Sequence, residues 1–225
     1  MWQKTDPREL RVWFSKKWQS EWFGTTQAQW AEFFVTDLAA RNLVEDFYFR
    51  AGIAKTVVRM TQKEWEVLIF TAKPAVVLGK DNTKLEKFEK KLKKITKKPF
   101  KVIVKDLKKP ELSAKIMAEF AAIQLENRMP YRRVAKTILQ KVMEKWAIGV
   151  KVQVWGRLNG ADLSRSEKFS DGRIPLQTIR ADVDYHHTTA LTKYGVLGIK
   201  VWICKGENIE INQKKVSLDR VVKNA

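Results

Sequence analysis

The stretch from Gly149 to Glu207 limits the possible folds more than any other part of the chain. Val150, Val152 and Val154 alternate with Lys151, Gln153 and Trp155, and Ile199, Val201 and Ile203 alternate with Lys200, Trp202 and Cys204. Successive side chains of a strand point to opposite faces, so each run reads as a strand with one buried face. Gly156, Gly160, Gly172 and Gly195 fall between the runs, where a residue without Cβ turns the chain at positive φ. The block is a compact β-rich unit whose loops carry Arg157, Arg165, Arg173 and Arg180.

Upstream, the pattern from about 38 to 108 is helix, strand, strand, helix pair, strand. Leu38, Leu43 and Phe47 mark a helix that ends near Gly52, and Ile53 to Met60 is a β-branched strand. Trp65, Val67 and Ile69 alternate with Glu66, Leu68 and Phe70, and Phe100, Val102 and Val104 close the sheet. Between them, Pro74 starts a short turn and a helix runs from about Thr83 to Thr96, with Thr83 and Glu86 spaced as a capping box. Leu85, Phe88, Leu92 and Ile95 form its apolar stripe, and Lys84, Lys87, Lys90, Lys91, Lys93 and Lys94 mostly face outward. Two heptads are too few to sustain a coiled coil. A glycine turn between the two helices completes the layout of a type II KH domain, which clamps about four single-stranded nucleotides against a GXXG loop. Here that loop reads Gly79, Lys80, Asp81, Asn82. Asparagine tolerates the left-handed region, but Asp81 repels phosphate. The loop is either a clamp or only a turn that starts the next helix, and Lys80 is a candidate phosphate contact in both cases.

The charge balance narrows the partners. Lys plus Arg number 44 against 25 Asp plus Glu, a net +19 at neutral pH with a pI near 10.0. A cation of that size pairs naturally with a polyanion, since neutralising phosphates releases condensed counterions. A merely basic surface is the plain alternative. No apolar run approaches the roughly 20 residues of a spanning helix, so no membrane partner is expected. Cys204 is the only cysteine, which excludes an internal disulfide and fits a reducing compartment. The start, MWQKTDPREL, lacks the apolar core of a signal peptide, so the expected location is cytoplasmic.

The helix after Pro130 carries the sharpest candidate site. Proline suits the first helical position, and Ala135, Ile138, Leu139, Val142, Met143 and Trp146 recur at helical spacing as a buried stripe. Arg132, Arg133 and Lys136 lie on one flank, three and four residues apart, so their cations converge; Arg128 stands just before the turn. The flank reads as a nucleic-acid contact or as a solvated helix face. Catalytic readings are weaker. Asp182 and Asp184 with His186 and His187 resemble a divalent-metal site, but Arg180 shares their face and offers an ion pair. One cysteine and two adjacent histidines cannot supply a tetrahedral zinc site, and no glycine-rich phosphate loop ending in Lys-Ser or Lys-Thr occurs. No enzyme activity, metal or cofactor is expected. Trp2, Trp13, Trp18, Trp22 and Trp30 crowd the first segment, either stacking bases or anchoring that segment to the body.

Several strings resemble the bacterial form of the small-subunit ribosomal protein three family. These are Gln3-Lys4 with Pro7, Arg11, Trp18, Ser20, Trp22 and Phe23; TAKPAVVLG from Thr71; KKPELSAKIMAE from Lys108; YRRVAK from Tyr131; and the RADVDY and GVKVQVWGRLNGADLSRSE strings of the β-rich block. They run in order from about 3 to 207. Trp2, Trp13, Trp155 and Asn159 depart from the family pattern, as does Asn127. The resemblance implies an α+β chain: an N-terminal type II KH domain with a three-stranded sheet and helices on one face, then a C-terminal α+β domain of two helices and a mainly antiparallel sheet. The expected division is an aromatic-rich segment at 1–37, the KH domain at 38–108, the C-terminal domain at 109–207 and a polar tail at 208–225. The implied role is structural, binding rRNA in the head of the small subunit and lining the channel by which messenger RNA enters, with YRRVAK helping to open its secondary structure. Implied partners are small-subunit rRNA, mRNA, ribosomal proteins ten and fourteen in the head, and proteins four and five around the channel. The RNA-binding candidates are Gln3, Lys4, Arg11, Lys80, Lys84, Arg128, Arg132, Arg133, Lys136, Arg157, Arg165 and Arg173. A free-standing KH-type RNA-binding regulator is the alternative.

Overall fold

The computed structural model describes residues 4–12, 15–49, 51–61, 64–79, 82–96 and 99–207. Gln3, Lys80, Asp81, Trp2, Trp13 and the tail from 208 lie outside the described residues. By contact, the chain forms two compact units, residues 18–110 and residues 1–17 with 111–225. This division by contact differs from the one expected from sequence, at 37/38 and 108/109. The first seventeen residues belong with the C-terminal unit, and the rest of the aromatic segment belongs with the KH-like unit.

In the unit of residues 18–110, a four-stranded sheet has the order β1 (Ser20–Trp22), β2 (Ile53–Met60), β3 (Trp65–Thr71), β4 (Phe100–Asp106). β2 and β3 are antiparallel, and the β1–β2 and β3–β4 pairs are parallel. The short β1 makes the sheet one strand wider than the three expected. With helices numbered in chain order from the short α1 (Glu9–Val12, in the other unit), α2 spans Gln27–Phe47 and α4 spans Thr83–Thr96, with the short α3 at Pro74–Leu78. α2 starts eleven residues before Leu38 because Thr26 caps it, its hydroxyl accepting the Gln29 N–H at 3.3 Å. Thr83, expected as the cap of α4, is that helix's first residue. Ala40, Val44, Val58, Val67, Ile69, Val77, Phe88 and Leu92 form the core. Ile95, expected in the α4 stripe, is exposed, and Thr96 is buried in its place. Buried Asp37 ties β1 to α2, accepting from Ser20 at 2.5 Å, Trp22 Nε1 at 3.1 Å and Arg41 Nε at 2.8 Å. Trp22 also packs edge-on against Trp30 and Phe33, so this tryptophan anchors its segment. Trp18 is exposed.

In the other unit, β5 (Gly149–Gly156), β6 (Arg165–Gly172), β7 (Ala181–Thr192) and β8 (Gly195–Glu207) form an antiparallel sheet of order β6-β5-β8-β7. The alternation read from sequence holds: Val150, Val152, Val154, Ile199, Val201 and Ile203 are buried with residues of α5 (Ala114–Glu126) and α6 (Tyr131–Glu144). α5 lies on β7 and β8, and α6 on β5 and β6. The α6 stripe is Tyr131, Val134, Ala135, Ile138 and Val142. Trp146 does not join it. It lies beyond the helix end at φ 68 and is 87% exposed.

Candidate nucleic-acid interface

α6 turns its apolar stripe into the sheet, and this sets where its cations go. Side chains three and four residues apart share a helix flank, so burying Val134, Ala135 and Ile138 leaves Arg132, Arg133 and Lys136 together on the exposed side. Arg132 is the most defined of the three. Its Nε donates to the Tyr131 hydroxyl at 3.1 Å and its Nη2 to Glu167 Oε1 at 3.4 Å, and the Tyr131 hydroxyl donates to the same carboxylate oxygen at 2.7 Å. The Glu167 hydrogen bond, followed by that of Tyr131, raises the guanidinium pKa further. The Tyr131 bond leads in holding the Glu167 carboxyl below its ordinary range. Glu167 thus orients Arg132 without covering it, since the Arg132 side chain stays 69% exposed.

The remaining candidates separate into different places. Lys4, Lys84, Arg128, Arg157, Arg165 and Arg173 are exposed. Arg165 and Arg173 stand at opposite ends of β6, beside Gly156 and next to Gly149, roughly 25 Å apart at a strand's rise per residue, so one small site cannot use both. Arg157 donates to the carbonyls of Ala161 and Tyr194 and to Asp162, which fixes its own loop as well as presenting charge.

Arg11 is a correction. It is fully buried, and its guanidinium donates to five carbonyls: Ala181 at 2.7 Å, Pro7 at 2.7 Å, Leu176 at 2.9 Å, Thr178 at 2.8 Å and Pro175 at 3.2 Å. Burial pushes its pKa down while Asp182 opposes the shift. Buried and engaged by backbone carbonyls through all three of its nitrogens, Arg11 is not presented to a phosphate. It fastens the N-terminal segment to the start of β7.

Asp182 and Asp184 pair differently from the expectation as well. Lys16 Nζ lies 3.4 Å from Asp182 and 3.7 Å from Asp184, and Lys205 lies 3.8 Å from Asp184; Arg180 pairs instead with Glu207 at 3.1 Å. Burial works to raise the Asp184 carboxyl, but Lys205, Lys16, the Ala114 N–H and Arg8 outweigh it and hold the group below its ordinary value. These carboxylates are committed to holding α5 and the N-terminal segment. His187 leaves them, stacking on Trp155 at 5.2 Å and 14° on the outer sheet face, with Lys200 at 5.0 Å from the indole. Burial, then Lys200, lowers the His187 pKa.

In the KH-like unit, the described residues on either side of the loop after α3 take positive φ. Gly79 has φ 75 and ψ −176, a combination open essentially to glycine alone, and Asn82 takes the left-handed φ of 60. The Lys84 stem crosses Gly79 so closely that a Cβ there would meet its Cγ at 2.8 Å. Lys84, Gly79 and Asn82 are therefore brought together. Lys80 and Asp81 lie outside the described residues.

Sequence reasoning missed Glu167 as the partner of Arg132 and missed Lys193 and Tyr194 beside Arg157. No local pattern joins residues so far apart in the chain.

Comparison with known proteins agrees with both halves. A family model described as "Ribosomal protein S3, C-terminal domain" matches residues 121–203, and one described as "KH domain" matches residues 40–112. The chain is 40% identical over 213 residues to small ribosomal subunit protein uS3 of Xanthomonas euvesicatoria pv. vesicatoria, covering 95% of the chain and 87% of that protein. It is 39% identical over 221 residues to the protein of the same description from Vesicomyosocius okutanii, covering 98% and 95%. The corresponding protein of a Ruegeria species is 37% identical over 210 residues, covering 93% and 87%.

Proposed function

The chain belongs to the ribosomal protein uS3 family of non-enzymatic small-subunit proteins, and from that premise we propose that it lines the channel by which messenger RNA enters. The observation that carries this reading is the α6 flank. Arg132, Arg133 and Lys136 are exposed while the stripe beside them is buried, and Glu167 sets the direction of the first. Such a row binds a strand through its phosphates and needs no sequence. A row that engages the opened strand and not the closed hairpin shifts the equilibrium toward opening by that difference in affinity, without fuel.

Other cations serve rRNA binding in the subunit head. Lys4, Arg157, Arg165 and Arg173 are dispersed over the C-terminal unit, which suits the shape-and-phosphate recognition of folded RNA better than a single strand's track. Lys84, beside Gly79 and Asn82, supplies phosphate contact from the KH-like unit, with Lys80 a candidate next to it. Ribosomal proteins ten and fourteen are the expected neighbours in the head, and four and five around the channel. Among the described residues no helix is long and apolar enough to cross a membrane, and the relatives are bacterial proteins.

The test is a directed cleavage experiment. Lys136→Cys, carrying a hydroxyl-radical-generating tether and assembled into small subunits, should cut bound messenger RNA. Cuts confined to rRNA would overturn the channel role. Recovery of the chain mainly in light sedimentation fractions would favour a free-standing regulator.

A further inference from the structure

The C-terminal unit also holds a cleft that the α6 flank leaves unused. Its volume is about 450 Å³, within the roughly 300–1,000 Å³ of sites that enclose a small ligand. Met129 and Leu197 give it apolar lining, and Arg128, Arg157, Lys193 and Tyr194 bring charge and an aromatic ring.

The ring is held in place. Tyr194 lies so close to Gly160 that a Cβ on that glycine would stand 2.8 Å from the phenol's Cε2, and Gly160 has φ 79, which independently disfavours a side chain. Cations gather on the same ring, Lys193 Nζ at 4.6 Å and Arg157 Cζ at 6.0 Å from its centroid. Arg157 is itself fixed by the Ala161 carbonyl at 2.9 Å and by the Tyr194 carbonyl and Asp162 at 3.3 Å each.

Arg128 is held at a cost. It follows α5 at φ 62, with its N–H donating to the Leu125 carbonyl at 3.0 Å. Helix ends of this kind favour glycine or asparagine, and a residue kept in a disfavoured conformation points to a site that needs its side chain.

We propose that this cleft seats one unpaired nucleotide of RNA, its base against Tyr194 and its phosphate against Arg128 and Lys193. An aromatic face accepts any base, and the apolar lining suits a base but offers nothing to a bare phosphate; Glu126, the one acid of the lining, accepts from the Leu191 N–H at 3.4 Å. A paired base is barred because its faces and edge are already occupied. The inference rests on the RNA-binding reading above. Messenger and ribosomal strands present the same chemistry, so the test treats them separately.

Small subunits assembled with the full-length chain would carry 4-thiouridine either in the messenger or in the rRNA, and crosslinked residues would be mapped after irradiation. A crosslink at Tyr194 is expected in one arm, and that arm identifies the strand. The Tyr194→Leu and Arg128→Gly variants should each lower occupancy of the cleft at least about fivefold, the lower bound for losing one base stack or comparable contact, read as protection of the seated nucleotide from chemical modification. The Arg128→Gly chain should melt no lower than the parent, because glycine suits φ 62; a merely structural Arg128 would instead lower melting. Absence of the Tyr194 crosslink from both arms, or unchanged protection in both variants, overturns the proposal. Messenger crosslinks to Arg132, Arg133 or Lys136 should persist in the Tyr194→Leu subunits. Their absence from the parent, with the Tyr194 crosslink present, would break the channel reading and leave the cleft standing.

Discussion

The segment before residue 18 and the first two turns of α6 are both basic, yet they use their charge in opposite directions. Arg11 points inward and spends its guanidinium on five carbonyls, and Lys16 is engaged by the Val183 carbonyl at 2.8 Å and by Asp182 and Asp184. On α6, Arg132 keeps 69% of its side chain exposed although Glu167 holds it, and Arg133 and Lys136 are exposed beside it. A cation becomes structural when protein oxygens satisfy its donors, and stays available for phosphate when an apolar stripe does the anchoring. Among the described residues of the first segment, the charges do the fastening.

The largest effect should come from removing the inward cation. Arg11→Ala leaves buried carbonyls without donors and should cost on the order of 3–5 kcal/mol, measured by denaturant unfolding of the full chain. Arg11→Lys should recover only part, since one ammonium cannot reproduce the planar fork. A loss below about 1 kcal/mol, the range of an exposed ion pair, would erase the contrast.

Acid should act on the same inward set. The folded pKa of Asp184 lies below its ordinary value of 3.8, so its contribution to stability is fully present above that value and is lost as pH falls from about 4 through the folded pKa. The stability of Asp184→Asn should be lower near neutrality and flatter below about pH 4 than that of the parent. Parallel acid limbs in the two proteins would remove Asp184 from the account.

Changes on the outward side should leave stability nearly alone. Glu167→Gln should leave the unfolding midpoint nearly unchanged, while freeing Arg132 to tighten RNA binding and steepen log K against log salt by at most about 0.9, one phosphate's worth. An unchanged slope would mean that Glu167 does not restrain Arg132 in solution. Smallest of all should be the stability change in Asn82→Gly, because Asn82 already occupies the left-handed region at φ 60. Combined with Asp81→Gly, it should improve single-strand binding if the loop reaches RNA.

Legibility followed the range of the interactions. The strands of the C-terminal sheet and the α6 flank could be read from residues two, three and four apart, because a single buried face dictates the pattern. Trp146 misled that reading: it continues the helical spacing, but the chain has left the helix by then and turns at φ 68. Arg11 was illegible for a different reason, since four of its five acceptors lie more than 160 residues away. The Lys16 pairing has the same long range, and the cleft lined by Arg128, Arg157 and Tyr194 joins residues of separate elements that no local pattern links. The early start of α2 had a local signal in Thr26, overlooked beside the aromatic residues that follow it.

The central claim, that the α6 flank acts on the messenger and not on the fold, is tested most directly by replacing Arg132, Arg133 and Lys136 together with alanine. Alanine is the best helix former, so α6 should persist and the variant should assemble into small subunits normally. The ratio of translation rates on messages with and without a stable hairpin ahead of the ribosome is the decisive measurement. It should fall clearly in the variant, with unstructured messages read at close to the normal rate. Equal slowing on both kinds of message, or failure to assemble, would show that these three residues serve rRNA binding or stability instead.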